Sequence, residues 1–279
     1  MRIGKIQSDV LNTGPILLDG GAMFGVVPRV LWEKKMPPDG QNRIAMSMNV
    51  LLVRAGGKNL LLDTGAGNKE DDKFRRLYGL SAPTLVSGLG ALGLRPDDIH
   101  LVVNTHLHFD HAGGNTLRNP DGGLTPAFPN AQYLVQRKEF EEAMSAHERN
   151  RASYFPENYL PLADSGQMQF LDGEAEILPG VRAYPLPGHT LGMQGLFIES
   201  EGERALYLAD CAPTSHHIPI PWVMAYDLYP VTTLETKKRV LPQAAREGWT
   251  LFFEHDPHVQ AARIEESKPY AYTVHPVDP

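Results

Sequence analysis

The strongest constraint on this chain is a run of four potential metal ligands within residues 105–111, which read THLHFDH. Residues 99–104 are mostly apolar and β-branched, so the run is expected to begin where a buried strand ends. Alternate residues of an extended segment share a face, so His106, His108 and Asp110 are expected to project together, with His111 at the turn. Neutral imidazole and carboxylate are good ligands for first-row divalent ions. The run therefore predicts a metal site at a strand end.

Further potential ligands follow other strand-like segments, as His189, Asp210 and His255 do. Strand-end loops are where sites are assembled in layered α/β folds, so these residues are expected to complete the site. Five His and two Asp suit two ions better than one, because a tetrahedral site with bound water needs only three protein ligands. Asp210 could bridge ions roughly 3.5–4 Å apart, and Asp110 could carry the proton of an attacking water. Both aspartates are therefore predicted to be catalytic.

Two neighbouring positions have less specific interpretations. Asp63 ends the apolar segment 59–63, where it either forms a turn or accepts a hydrogen bond that orients a ligand His. Cys211 follows Asp210 and is expected on the opposite strand face, as a buried structural thiol.

Composition excludes several classes of protein. The formal net charge of -7 over 279 residues argues against nucleic acid as a partner, because binding to its backbone is dominated by Lys and Arg. The start of the chain lacks the apolar stretch of a secretory signal, and no run is long enough to span a membrane, so we expect a cytoplasmic protein. The single Cys211 excludes intramolecular disulfides and thiolate zinc clusters. Any metal must be held by His and carboxylates.

Apolar periodicity predicts strands and helices that alternate along one domain covering residues 1–279. Strands are expected at 48–54, 59–63, 99–104, 181–186, 195–199, 205–209 and 249–253, and helices at 84–92, 136–149 and 234–246. Residues 19–45 are rich in Gly and Pro and are expected to form a loop near the active site.

The motifs together resemble those of the metallo-β-lactamase-fold hydrolases. The matching segments are 62–65 (LDTG), 105–114 (THLHFDHAGG), 187–190 (PGHT), 209–210 (AD) and 253–257 (FEHDP). The resemblance implies an αββα sandwich, with mixed sheets and helices on the outer faces. It also implies one metal held by His106, His108 and His189, a second held by Asp110, His111 and His255, and Asp210 as the bridge.

Residues 253–256 are most similar to the N-acyl-homoserine lactonase and methyl-parathion-hydrolase-like branch, which implies opening of a lactone. One difference concerns the residues after the bridging Asp, where the best-known lactonases have a Tyr a few residues later and this chain has CAPT at 211–214. The group that assists the oxyanion must therefore come from elsewhere, and the candidates are His216, His217 and Tyr226. The candidates for substrate binding are Met23, Phe24, His216, His217, Trp222 and Tyr226, and core packing is the alternative for the apolar ones.

The same ligand set allows other activities. Hydrolysis of phosphotriesters or phosphodiesters, or of thioesters as in glyoxalase II, uses similar metal sites, and a non-catalytic metal-binding protein is a remote alternative. Two divalent ions are expected, with zinc first and manganese, iron or cobalt as alternatives. The expected partner is a small ester or lactone, and the sequence leaves open whether the chain forms a homodimer.

Overall fold

A first mixed sheet is built largely from the amino-terminal half of the chain, as the computed structural model shows for residues 1–82 and 84–279. Its strands are β1 (Arg2–Ile3), β2 (Ile6–Asp19), β3 (Arg43–Ala55), β4 (Lys58–Leu62), β5 (Leu101–Val103), β8 (Gln132–Gln136) and β9 (Met168–Leu171). The order is β1-β2-β3-β4-β5-β8-β9, with β4, β5, β8 and β9 parallel to one another. A small ribbon lies outside it, formed by β6 (Thr116–Arg118) and β7 (Leu124–Pro126).

The second mixed sheet comes from the carboxyl-terminal half. Its strands are β10 (Ala175–Leu178), β11 (Val181–Pro185), β12 (Gln194–Ser200), β13 (Glu203–Tyr207), β14 (Thr250–Phe252), β15 (Ala261–Lys268) and β16 (Ala271–Pro276), in that order. Strands β13 and β14 are parallel and the other neighbours are antiparallel. A helix connects the parallel pair, as such a crossover requires.

The helices are mostly short. They are α1 (Gly20–Phe24), α2 (Arg29–Trp32), α3 (Asp72–Tyr78), α4 (Leu85–Ala91), α5 (Phe109–Ala112), α6 (Arg137–Met144), α7 (Leu160–Asp164) and α8 (Pro230–Glu247). Single 3-10 turns lie at Pro96–Asp98, Gly113–Asn115, Pro156–Asn158, Ala209–Cys211 and Ser215–His217. In the part of the chain that the structure describes, none of the helices is both long and apolar enough to cross a membrane.

Two apolar clusters define the layers. Leu51 and Leu62 of the first sheet pack in one cluster with Leu196 and Leu206 of the second, so the sheets stack face to face. The other face of the first sheet packs in a second cluster with α4 and α7. Helix α8 packs on the second sheet through Val240 and its neighbours. The predicted αββα sandwich of mixed sheets is confirmed.

The parallel strands direct their carboxyl ends toward one edge of the sandwich. Asp63 directly follows β4, and Asp210 lies in the 3-10 turn Ala209–Cys211 that comes after β13. The backbone joins the two sheets at this edge, where Asn49 N–H donates to Glu254 O at 2.9 Å and Gln194 N–H donates to Thr105 O at 2.9 Å. Strand ends that are far apart in sequence therefore meet in space.

Two of the predicted segments differ from the expectation, and the prediction did not include β8, β9, β10, β15 and β16. The helix expected at residues 136–149 ends at Met144, because the chain turns at His147, whose N–H donates to Asn150 Oδ1 at 2.8 Å and whose carbonyl accepts from Asn150 N–H at 3.1 Å. An Asn side chain that bonds nearby backbone competes with the helix in this way. Residues 19–45 contain α1 and α2 rather than loop alone.

Candidate metal centre

A group of three histidines forms one side of the site. His106 and His108 follow β5, and His189 follows β11. His108 Nδ1 lies 3.1 Å from His106 Nε2 and 3.0 Å from His189 Nε2, and all three side chains are buried. Nitrogens bound about 2.0–2.1 Å from a tetrahedral ion are separated from one another by slightly more than these nitrogen–nitrogen distances. The three nitrogens therefore converge as ligands of one ion would.

A second group lies beside the first. His111 Nε2 is 3.3 Å from His255 Nε2, and Asp110 Oδ2 is 3.7 Å from each of these nitrogens. The three donors are again buried and are close enough together to hold one ion. The structure thus separates the histidines and Asp110 into two groups, as the resemblance implies.

Asp210 lies between the two groups. Its Oδ2 is 3.2 Å from His189 Nε2, while its Oδ1 is 3.3 Å from His255 Nε2 and 3.8 Å from His111 Nε2. Oδ1 is buried and has no hydrogen-bond partner among the described residues, as expected for an oxygen that faces a cation. One carboxylate oxygen toward each group is the arrangement of a bridging ligand. The donors therefore fit a pair of divalent ions.

The electrostatics of the site favour a cation. Burial, together with the other histidines, holds the pKa of His106 and of His108 well below the usual value, so both rings are neutral donors. Burial acts to raise the pKa of Asp210, but His189, His255 and His111 lower it well below its usual value, so the carboxylate is ionised. Burial acts to lower the pKa of His111, His189 and His255, but the neighbouring carboxylates raise it above the usual value, so binding of a divalent ion would release protons from these rings.

Asp63 orients one of the potential ligands. Its Oδ2 lies 3.0 Å from His111 Nδ1, so the opposite ring nitrogen, Nε2, faces the site. Asp63 also accepts from Thr105 N–H at 2.7 Å and from Thr105 Oγ1 at 2.6 Å. Of the two interpretations that the sequence allows, these contacts match orientation of a ligand His. A second buried carboxylate, Glu254, lies 3.2 Å from the same His111 Nδ1.

Two other histidines are oriented by groups that the sequence did not single out. His189 Nδ1 lies 3.1 Å from Asp227 Oδ1, and His255 Nδ1 lies 2.8 Å from the backbone carbonyl of Ser47. Asp227 is 38 residues from His189, and a backbone carbonyl has no side-chain signature at all. Neither contact has a local sequence signal that could have revealed it.

Strained backbone presents the Asp210 carboxylate. Ala209, directly before Asp210, has a φ of 46°, and Asp63 has a φ of 61°. Residues other than Gly seldom adopt positive φ, and such strain is found mainly where a site requires it. Close packing also fixes the turn after the histidine run, because a Cβ on Gly113 would lie 2.1 Å from the carbonyl oxygen of Ala66. Side chains larger than Gly are excluded there.

A cavity of about 270 Å³ opens onto the two groups. Its floor is formed by five of the clustered donors, namely His108, Asp110, His189, Asp210 and His255. Its walls are partly apolar, from Leu18, Ala22, Met23, Phe109, Met224, Ala225 and Leu228, and partly polar, from Tyr78, Arg149, Asn150, Ser153 and Tyr226. Met23 and Tyr226 are thus the sequence candidates for substrate binding that line this cavity.

The other candidates for substrate binding do not line this cavity. His217 is buried and stacks on Phe24 at a centroid distance of 4.7 Å, and its nitrogens contact Thr214 Oγ1 at 2.8 Å and the Met23 carbonyl at 2.9 Å. Burial lowers the pKa of His217 to about 3, so it is a neutral core residue. Phe24 and Trp222 pack edge to face with each other.

His216 also lies outside the cavity. It lines a different surface depression, together with Lys35, Met36 and His258. Both histidines belong to the 3-10 turn at Ser215–His217, which the sequence pattern did not predict. Arg149 was not a sequence candidate, but it lines the cavity and donates to the Ala225 carbonyl at 2.6 Å.

Comparison with known sequences agrees with this geometry. The family described as the metallo-beta-lactamase superfamily matches residues 45–255, which is more than half of the chain. An N-acyl homoserine lactonase of Bacillus thuringiensis is 34% identical over 175 residues, which are 62% of this chain and 62% of that protein. The match therefore spans less than two thirds of the length of that relative.

Comparison with solved structures extends over the full chain. A probable metal-dependent hydrolase from Staphylococcus aureus has a TM-score of 0.90 and 32% identity, covering 99% of both chains. AidC, a dizinc quorum-quenching lactonase, has a TM-score of 0.82 over 100% of this chain and 96% of its own, with 22% identity. The latter is a likeness of fold alone.

Proposed function

Because the chain belongs to the metallo-beta-lactamase superfamily, we propose that it is a hydrolase that uses two divalent metal ions. The observation that carries the proposal is the position of Asp210, with one carboxylate oxygen toward each group of donors. If only one ion were bound, one of these groups and one oxygen of Asp210 would have no cation to bind. Zinc is the first choice of metal, because imidazole and carboxylate donors suit it.

The roles of the residues follow from their places in the cavity. The two groups of donors, with Asp210, would hold such ions, which when bound would supply Lewis-acid chemistry and lower the pKa of a water molecule. Asp110 belongs to the second group and also lines the cavity, so its carboxylate is placed to take up or release a proton there. The apolar wall formed by Met23, Phe109 and Met224 excludes water and binds the apolar part of a substrate.

We propose a lactone as the substrate, such as an N-acyl-homoserine lactone. The name of the Bacillus thuringiensis relative supports this choice, as does a cavity with both an apolar wall and polar groups. Phosphotriesters, phosphodiesters and thioesters remain the competing substrates, because the same metal chemistry can hydrolyse them.

The competing substrates are separated by product analysis on one preparation of known metal content. The panel contains short- and long-chain acyl-homoserine lactones, a p-nitrophenyl phosphotriester and an acyl-glutathione thioester. We expect the lactones to be opened to the hydroxy acids and two ions to be present per chain by elemental analysis. Cleavage of the phosphotriester or the thioester without lactone opening would overturn the lactone assignment. A chain that binds no metal would overturn the assignment as a metal-dependent hydrolase.

Tyr226 is the group that we propose in place of the Tyr expected after the bridging Asp. It lines the cavity, and burial together with Tyr78, Asp19 and Asp110 raises its pKa, so the hydroxyl keeps its proton and can donate. We expect Tyr226→Phe to lower kcat for lactones by about 10²-fold, the usual effect of removing one oxyanion donor, with unchanged metal content.

The matched control is Tyr229→Phe, which removes a hydroxyl that donates to Glu142 and lies outside the cavity lining. We expect this variant to retain the kcat of the wild type. Equal kcat values for the Tyr226→Phe variant and the wild type would exclude Tyr226 as the donor.

A further inference from the structure

We propose that Glu139 is a positioning residue that holds the three-histidine group, His106, His108 and His189, in its binding geometry. The inference rests on the proposed function, since it concerns the affinity of this group for one of the two ions. Glu139 lies on α6, has no exposed surface and is not itself one of the clustered donors around the cavity. Its carboxylate faces the loops that carry the histidines.

Three segments of the chain donate hydrogen bonds to this one carboxylate. Glu139 Oε1 accepts from Leu107 N–H at 2.9 Å and from the Tyr154 hydroxyl at 3.0 Å, and Oε2 accepts from the Thr190 hydroxyl. All three donors are uncharged. A carboxylate is costly to bury without a cation beside it, so hydrogen bonds of this number are needed to keep it there. The contact therefore ties all three segments to α6.

Two of the segments bear directly on the histidines of the first sheet. Leu107 lies between His106 and His108, so its N–H fixes the backbone from which both rings project. The ring of Tyr154 packs edge to face against the ring of His108 at a centroid distance of 4.6 Å, and the two residues also form a backbone bridge. Glu139 thus accepts from the backbone of Leu107 and from the side chain of Tyr154, and both of these residues are neighbours of His108.

The third segment carries the histidine of the second sheet. Thr190 directly follows His189, and the backbone continues so close to α6 that a Cβ on Gly192 would lie 2.1 Å from Glu139 N. Glu139 therefore connects the loop after β5 with the loop after β11. The spacing of His106 and His108 relative to His189 depends on this connection.

The second group of donors is held by other contacts. His111 is oriented by Asp63, and His255 by the carbonyl of Ser47. The hydrogen bonds that Glu139 accepts come from Leu107, Tyr154 and Thr190, none of which lies next to His255. Loss of Glu139 is therefore expected to weaken one ion and not the other, which a general loss of stability would not do.

The test is a chelator competition on the full chain, with zinc content by elemental analysis and the visible spectrum of the cobalt-substituted protein. We expect Glu139→Ala to weaken the affinity for one of the two ions by about 10–100-fold, the usual effect of removing a group that orients metal ligands. The affinity for the other ion should be unchanged. Glu139→Gln keeps the shape and part of the acceptor capacity, so a smaller loss is expected. The cobalt spectrum should change for the weakened ion alone.

Two further variants test the positioning role if Glu139→Ala does not fold. Thr190→Val and Tyr154→Phe each remove one donor with little change of volume, and each should weaken the same ion by a smaller factor. The control is Glu141→Ala, which removes an exposed carboxylate from the same helix α6. It should leave both affinities as they are.

The outcomes separate this inference from the proposed function. Unchanged affinity for both ions in the folded Glu139 variant, or in both the Thr190 and Tyr154 variants, overturns the positioning role. Equal weakening of both ions also overturns it, because that is the behaviour of a structural residue. A wild-type chain that binds fewer than two ions overturns the proposed function instead.

Discussion

Replacement of Asp210 by Ala is expected to remove hydrolysis and at least one bound ion together, with a loss of activity of roughly 10³-fold or more. The reason is geometric, because Asp210 is placed to contribute one oxygen to each group of donors. Its ionised carboxylate also offsets the charge that two cations bring into a buried site. The measurement is elemental analysis after dialysis, combined with turnover of the best lactone on the same sample.

Two other substitutions complete this experiment. Asp210→Asn keeps the shape and one oxygen while removing the charge, so it should retain more metal than the Ala variant. Asp164→Ala removes an exposed carboxylate at the end of α7 and should change neither metal content nor rate. Full activity with two ions in Asp210→Ala would contradict the bridging role.

Replacement of Lys237 by Met is expected to lower the free energy of unfolding by about 3 kcal/mol or more. Lys237 is fully buried in α8, and its ammonium donates to the carbonyls of His217 at 2.5 Å, Pro219 at 2.9 Å and Trp222 at 2.8 Å. Burial lowers its pKa to about 8, so it is still protonated at neutral pH and keeps all three donors. Met would fill the space but remove this donor from all three carbonyls, of which that of Pro219 still accepts from Trp222 N–H at 2.9 Å.

The adjacent residue provides a matched control. Lys238 is exposed and pairs with Glu235 at 2.8 Å, so Lys238→Met should change stability by less than about 1 kcal/mol. Urea unfolding of both variants at saturating metal measures the difference. The Lys237 variant should also raise KM, because the carbonyls that it contacts precede Met224 and Tyr226 of the cavity wall. Equal unfolding midpoints for the two variants would contradict this account.

The sequence by itself indicated the fold class and the set of clustered donors, because both depend on local patterns. Apolar runs in register with strand geometry end at His106, His189, Asp210 and His255, and parallel strands place such ends at one edge of a sheet. The structure brings all seven predicted donors together in two adjacent groups. Their assignment as metal ligands is the proposal that the Asp210 and Glu139 variants test.

Other features depended on contacts between distant segments and had no local signal. Asp227 approaches His189 across 38 residues, and Glu139 joins loops from both sheets through three separate segments. Any buried carboxylate or carbonyl of suitable position could fill such a role, so residue type alone does not reveal it. These partners became visible only when the sandwich packed its two sheets together.

The candidates for substrate binding also show that local sequence patterns did not determine which side chains line the cavity. His217 was a candidate for substrate binding, yet the turn at Ser215–His217 and the stacking on Phe24 place it in the core. Tyr226, farther along the same segment, lines the cavity instead. Strand periodicity determines where a chain's strands end and which residues follow them. The direction of a side chain in an irregular loop is determined by packing against segments remote in sequence, and only the tertiary structure decided that.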